Sequence, residues 1–549
     1  MGGVNRKVVT RWGTYCLLAL GVLLSAAAAK ASDIYIGQNP AGAGNGSDCA
    51  NAHPEKWFNT PSSWGSSAAQ IGPGTTVHLC GTFTGNANTT ELTFLGSGAA
   101  GNVITLKFET GAILTSPAWS ANGAIALNGQ SYILIDGGTN GTIQNTANGT
   151  SGNTGCLNGS CSISQDSRGI FNGGSGGHDL EIRNLVIHHI YIRTPNSTDV
   201  TNGAHSGGIG LGNVGNNILI HNNQVSYSNC NIEVDAMTTG TTTGWKIYNN
   251  TVHEANWNIE FGGHGTGSSL SGTLVFGNDV SGAEQWDTTA DTFHHDGIFT
   301  FSVPSGMTQT NTFIYNNYFH GNWGFNVTSP LYLDNDGVGY GDVMDGNYVF
   351  NNVFDGTGQS AHTANGQFYV FGTSNTYVFN NTFVGNGAAG GKNDSGGAAN
   401  VQAGATNYNF QNNIVVAFEA VIAVQDTSTL GTIDRNDYYN LVAANCCAFF
   451  NYHGTWYNSI AAWQAAGHGD RNSSTSDPKL SSGFVPQAGS SAIGLGTNLT
   501  QLGILALNND RAAVPRPSIG AWDAGAYVSG SSGLSNAPNA PTGLVAIVH

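Results

Sequence analysis

The chain has 549 residues, 79 of them glycine, with 9% charged residues and a formal net charge of −17. So few Lys and Glu exclude a mainly helical protein, whose surfaces are built from them. So acidic a balance also excludes nucleic acid, or another long polyanion, as a partner held by charge alone.

Residues 1–31 read as a secretory signal peptide. Arg6, Lys7 and Arg11 form a basic start, residues 16–24 an apolar run too short to span a membrane, and Ala29-Lys30-Ala31 a small-x-small cleavage site. The protein is therefore expected to be secreted, extracellular and without a membrane span. Four basic side chains leave with this leader, so the mature chain is more acidic still. Export permits disulfides. Cys49 and Cys80 flank an irregular segment and are expected to pair, and Cys156 and Cys161 could close a small loop. Cys230, Cys446 and Cys447 then leave an odd thiol, and no cysteine spacing fits a zinc site.

Residues 32–110 are predicted as an N-terminal cap with the first coils, including strands near 75–79 and 103–106. A stack of coils needs such a cap because its first coil otherwise exposes core. Residues 111–440 repeat one phrase, in which alternating apolar residues lead into two asparagines and then apolar residues again. Examples are Ile218-Leu219-Ile220-His221-Asn222-Asn223, Phe313-Ile314-Tyr315-Asn316-Asn317 and Tyr377-Val378-Phe379-Asn380-Asn381. The second asparagine, or its equivalent, recurs at 184, 223, 250, 278, 317, 352, 381, 413 and 436, at gaps of 23 to 39 residues. A constant frame with variable loops is the mark of a solenoid, and the alternation makes each phrase a strand with one buried face. Asparagine tolerates the left-handed backbone of a tight corner, and stacked amides can bond along a ladder.

Residues 441–528 form a closing segment with a short helix predicted at 460–466. Residues 529–549 are a Gly/Ser/Asn/Pro linker followed by a truncated strand, in which Pro541-Thr542-Gly543-Leu544-Val545-Ala546 resembles the start of a fibronectin type III domain.

The Asn-Asn coils resemble the right-handed parallel β-helix superfamily of pectate lyases and polygalacturonases, and the closing segment resembles the C-terminal region of many secreted bacterial β-helix proteins. The resemblance implies an all-β, single-stranded, right-handed parallel β-helix with an N-terminal cap and a C-terminal closing segment. It implies a carbohydrate-active protein without fixing the activity, because one fold hosts many.

Counting from the asparagines also locates candidate chemistry. Glu233 and Glu260 stand at the same offset from their Asn pairs, so if Ile232 and Ile259 point inward, both carboxylates point outward on successive coils. Asp296 joins that face only if Phe299 and Phe301, rather than Ile298, are the inward residues. Neighbouring coils lie about 4.8 Å apart, while retaining glycosidases hold their carboxyls about 5–5.5 Å apart and inverting ones about 6.5–9.5 Å. Asp235, Asp287, Asp291 and Asp334 extend the acidic cluster. His294-His295-Asp296-Gly297-Ile298 is similar to the Asn-Thr-Asp-Gly-Ile motif of polygalacturonases, which would place Asp296 on the catalytic aspartate. That family's second aspartate pair has Asp334 and Asp336 as its nearest counterparts here, and Gly263-His264-Gly265 spells its histidine motif ahead of Asp296 instead of after it.

Three functions remain open on these residues. The first is a polysaccharide hydrolase with Asp296 or Glu260 as acid, Glu233 as base, and His295 and His264 tuning them or binding substrate. Trp257, Trp286 and Trp323 would be stacking platforms, with Tyr332 and Asp334 also in contact with the sugar. The second is a calcium-assisted uronate lyase, ranked lower because no arginine lies between Arg193 and Arg435. The third is a non-catalytic carbohydrate-binding or surface solenoid. The hydrolase requires no cofactor, calcium enters only with the lyase, and a monomer acting on a polysaccharide is expected.

Overall fold

The computed structural model describes residues 32–147, 166–174, 176–190, 207–263, 265–283, 295–302, 306–324, 327–359, 366–387, 397–442 and 449–533. Its strands pair in parallel, each with its counterpart one coil further on, except that Phe450–Tyr452 and Thr455–Tyr457 form an antiparallel pair at the end. In the first sheet Ile218–His221 pairs with Lys246–Tyr248, then Leu274–Phe276, Thr308–Tyr315 and Val343–Phe350. The strands after each Asn pair make a second sheet, and Gly207–Val214, Gln224–Ala236, Thr251–Gly263, His295–Ser302 and Val327–Asp334 carry the third. This is the parallel β-helix expected from the repeat. The predicted alternation is observed, since Ile218, Ile220, Ile247, Val275, Ile314 and Val349 are all fully buried.

The two asparagines of each phrase have separate jobs. The first takes the left-handed corner, with φ of 57° at Asn222, 58° at Asn316 and 60° at Asn412. The second points inward and builds the ladder. Its side-chain N–H donates to the next coil's amide oxygen at 3.0–3.2 Å from Asn223 through to Asn436. The same oxygen accepts the backbone N–H of the preceding asparagine, as Asn250 does from Asn223 at 3.1 Å. Asn184, grouped above with the second asparagines, belongs with the first. It has φ of 60°, and the backbone N–H of Leu185, not an amide, meets Asn223 Oδ1. The ladder ends on the buried Asp470, which receives Asn436, Tyr438, Trp463 and Ser473. Burial pushes that carboxyl above the usual carboxylate range, against the pull of these hydrogen bonds.

Parallel pairing begins at Asp33–Gly37, which lies beside Thr76–Cys80. Cys49 and Cys80 form the expected disulfide, closing a loop with a sequence separation of 31. Replacing both with serine is expected to lower unfolding free energy by about 3–4 kcal/mol, read from urea titrations under oxidising conditions. An unchanged midpoint would show that the cap holds without its crosslink.

The predicted helix is observed at Ile460–Ala465, capped by Ser459, with Trp463 buried beneath the last coil. From about residue 477 the chain runs back along the outside of the first sheet. It meets the outward-facing first asparagines: Asn412 with Thr497, then Asn351 with Asn509 and Arg516, and then Asn380 with Asp523. Leu499, Leu507 and Trp522 cover a stack of Phe276, Tyr315, Phe350 and Phe379. Among the described residues no helix is long and apolar enough to cross a membrane.

Candidate functional site

The third sheet positions the acidic residues. Ile232, Ile259, Ile298 and Leu331 are its inward residues, all fully buried, so the residue after each points outward. Gly210, Glu233, Glu260, Phe299, Tyr332 and Tyr369 therefore form one outward column in register. Glu233 and Glu260 stack on adjacent coils, as counting from the asparagines predicted.

Asp296 arrives by another route. Ile298 is inward, so Phe299 and not Asp296 follows Glu260 in the column. Asp296 lies in the neighbouring column with Cys230, Trp257 and Ser329. It is 1% exposed and accepts the Ser329 backbone N–H at 3.1 Å. Its charge nonetheless reaches Glu260, as do those of Glu233 and Asp235. Gly297, part of the motif shared with polygalacturonases, has a packing reason here, since a Cβ would stand 2.8 Å from the Trp323 indole.

The two stacked glutamates have opposite surroundings. Arg168 Nη1 lies 3.6 Å from Glu233 Oε2, with side chains 11% and 22% exposed, and its guanidinium sits 4.1 Å above the Phe171 ring. Glu260 faces a thiol and further carboxylates. Cys230 Sγ donates to Glu260 Oε2 at 3.4 Å. Burial, and then the charges of Glu233 and Asp235, push the Glu260 carboxyl well above the usual carboxylate range. The Cys230 thiol is pushed up as well, by burial first and by Glu260 next.

Beyond Glu260 the column turns aromatic. Phe299 stacks on Tyr332 at 5.3 Å and Tyr332 on Tyr369 at 4.6 Å, with Phe301 and half-buried Trp257 packed beside them. Asp334 stands in register with Phe301 and Phe371. Burial, and then the charge of Asp334, raise the Tyr332 hydroxyl.

Two expectations need correcting. Trp323 is no stacking platform, because its indole is 1% exposed and packed in the core. His295 is fully buried at the head of its strand and presents no surface to a ligand, which corrects its expected role in binding substrate but not that of tuning the carboxylates. His264, Trp286, Asp287, Asp291, Cys156, Cys161, Cys446 and Cys447 lie outside the described residues, as do the signal segment and the fibronectin-like strand. Cys230 was legible, since it sits at the same offset from Asn223 as Trp257 does from Asn250. Arg168 was not, because its coil carries no Asn-Asn phrase to count from.

Among the described residues no group of three or more His, Cys, Asp or Glu side chains is arranged to hold a metal ion, so no calcium site is assigned and no step is routed through a cation.

Fold and site together define a parallel β-helix protein with an acidic patch on its third sheet. No protein-family model matches the chain, and no curated protein matches it. Among solved structures, pectate lyase Pel9A is 14% identical, over 91% of this chain and 96% of that one, with a TM-score of 0.39. XylC in complex with xylose is 9% identical over 91% and 99%, with a TM-score of 0.45. The GH136 lacto-N-biosidase from Eubacterium ramulus is 11% identical over 77% and 68%, with a TM-score of 0.37.

Proposed function

We propose that the protein is a secreted polysaccharide hydrolase of the retaining type, with Glu260 as general acid and Glu233 as nucleophile. The observation that carries this is the in-register stacking of the two carboxyls on adjacent coils, one beside Arg168 and the other among acids and a thiol. One strand spacing, about 4.8 Å, is close to the about 5–5.5 Å of retaining enzymes. In the first step Glu233 attacks the anomeric carbon while the Glu260 proton passes to the glycosidic oxygen. The bond to the leaving sugar breaks and a glycosyl ester forms on Glu233. In the second step ionised Glu260 takes a proton from water, whose oxygen attacks the same carbon and releases Glu233. Tyr332 in the column, with Trp257 and Asp334 beside it, supplies contacts for the sugar.

A polysaccharide panel tests this by reading reducing ends and the ultraviolet absorbance of unsaturated uronates, with and without EDTA. Reducing ends without absorbance are expected. Absorbance that EDTA removes would replace the hydrolase with a lyase, and binding without any cleavage would leave a non-catalytic solenoid.

A further inference from the structure

On the other side of Glu233 the outward column changes character. Gly210, Phe171, Ala126 and Thr93 continue it toward the N-terminus, one coil at a time. Three of these four are small, so the surface is hollowed where Phe299, Tyr332 and Tyr369 fill it on the opposite side. A groove of 360 Å³ runs past Phe171, Asn172, Gly173, Gly212 and Asn213 to Asp235. It continues into a hollow of 170 Å³ that shares Phe171 and Gly173 and is edged by Thr90, Thr93, Asn122 and Asn128. Four strand spacings from Glu233 to Thr93 make about 19 Å, room for several sugar residues.

We infer that this groove binds an uncharged glycan chain, leading it over the half-exposed Phe171 ring to Glu233 and Glu260. This rests on the reading of those carboxylates as the cleavage site. The lining carries amides, hydroxyls and backbone, the groups that exchange hydrogen bonds with sugar hydroxyls, and one aromatic ring for a sugar face. Among the described residues that line it there is no lysine, arginine or histidine. The adjacent Arg168 is engaged by Asp166, Glu233 and the Phe171 ring. A polyuronate would meet Asp235 and Glu233 with no free cation among the described lining residues to hold it, whereas a neutral chain meets no such charge repulsion.

Gly212 gives a clean probe. Its backbone is not left-handed, and an added Cβ would meet nothing closer than 3.7 Å, so a large side chain there projects into the groove without straining the coil. The experiment is calorimetric titration of full-length Glu260→Gln protein with cellohexaose, xylohexaose, mannohexaose and a hexagalacturonate. At least one neutral hexasaccharide is expected to bind, about tenfold more weakly in Gly212→Trp and in Phe171→Ala, and hexagalacturonate is expected to bind more weakly than it. Preference for hexagalacturonate, no binding of any neutral hexasaccharide, or neutral binding unaffected by both substitutions would overturn the inference. Binding blocked by Gly212→Trp without cleavage by the wild type would sink the hydrolase and keep the groove. Cleavage indifferent to Gly212→Trp would do the reverse.

Discussion

A Glu260→Gln variant is expected to lose about 10³-fold in glycan cleavage while being no less stable than the wild type at pH values where Glu260 would ionise. The two effects share one cause. Glu260 is buried and feels the charges of Glu233, Asp235 and Asp296, so its folded pKa is raised above its unfolded value. A group raised in this way contributes stability that is fully present below the unfolded pKa and is lost as pH rises through the folded one. The wild type should therefore weaken over that interval, and it should lose activity there too, because the acid no longer carries its proton. The amide cannot ionise, so in the variant that part of the stability loss disappears together with the chemistry. Urea midpoints against pH, set beside rates of reducing-end release, check both. A variant as active as the wild type would remove Glu260 from the mechanism. A variant equally inactive but much less stable would make the residue structural.

The second large effect is a contrast within one dipeptide. Asn223→Ala is expected to lower unfolding free energy by about 2–4 kcal/mol, and Asn222→Gly by no more than about 0.5 kcal/mol. Asn223 accepts the Leu185 N–H and donates to Ile182 O and Asn250 Oδ1, all buried. Truncating it strands partners on both neighbouring coils, where no water reaches them. Asn222 holds a left-handed corner with its side chain exposed, a conformation that glycine adopts freely. Melting both variants by circular dichroism reads the difference. Equal shifts would mean that the second asparagine fills space and the ladder adds nothing.

The architecture was legible because a solenoid writes its frame into the sequence. Each corner needs a left-handed residue and each ladder rung an inward amide, and both needs fall on the same adjacent pair. What the pair does not reveal is which member does which, and a lone Asn184 was placed with the wrong one. The frame also gave the register of Glu233 and Glu260, since Ile232 and Ile259 alternate with them on regular strands. It did not carry across to Asp296, where the strand keeps Ile298 inward and moves the aspartate to the next column. Trp323 looked like a surface aromatic beside the site. The space left by Gly297 in the neighbouring strand, which admits the indole to the core, is a relation between two coils that no local pattern shows. Arg168 lies on a coil without the asparagine phrase, and its pairing with Glu233 depends on the absent side chain of Gly210, whose Cβ would stand 3.0 Å from the guanidinium.

The central claim, that burial and then the charges of Glu233 and Asp235 hold the Glu260 carboxyl well above the usual carboxylate range, can be measured without any substrate. Protein carrying carbon-13 in its glutamate carboxyls, with the Glu260 resonance identified by its loss in Glu260→Gln, is titrated by NMR. The account predicts a Glu260 resonance that titrates well above the usual carboxylate range, and that moves down when Glu233 is replaced by Gln. A Glu260 that titrates in the ordinary range, or that ignores the loss of Glu233, would contradict it.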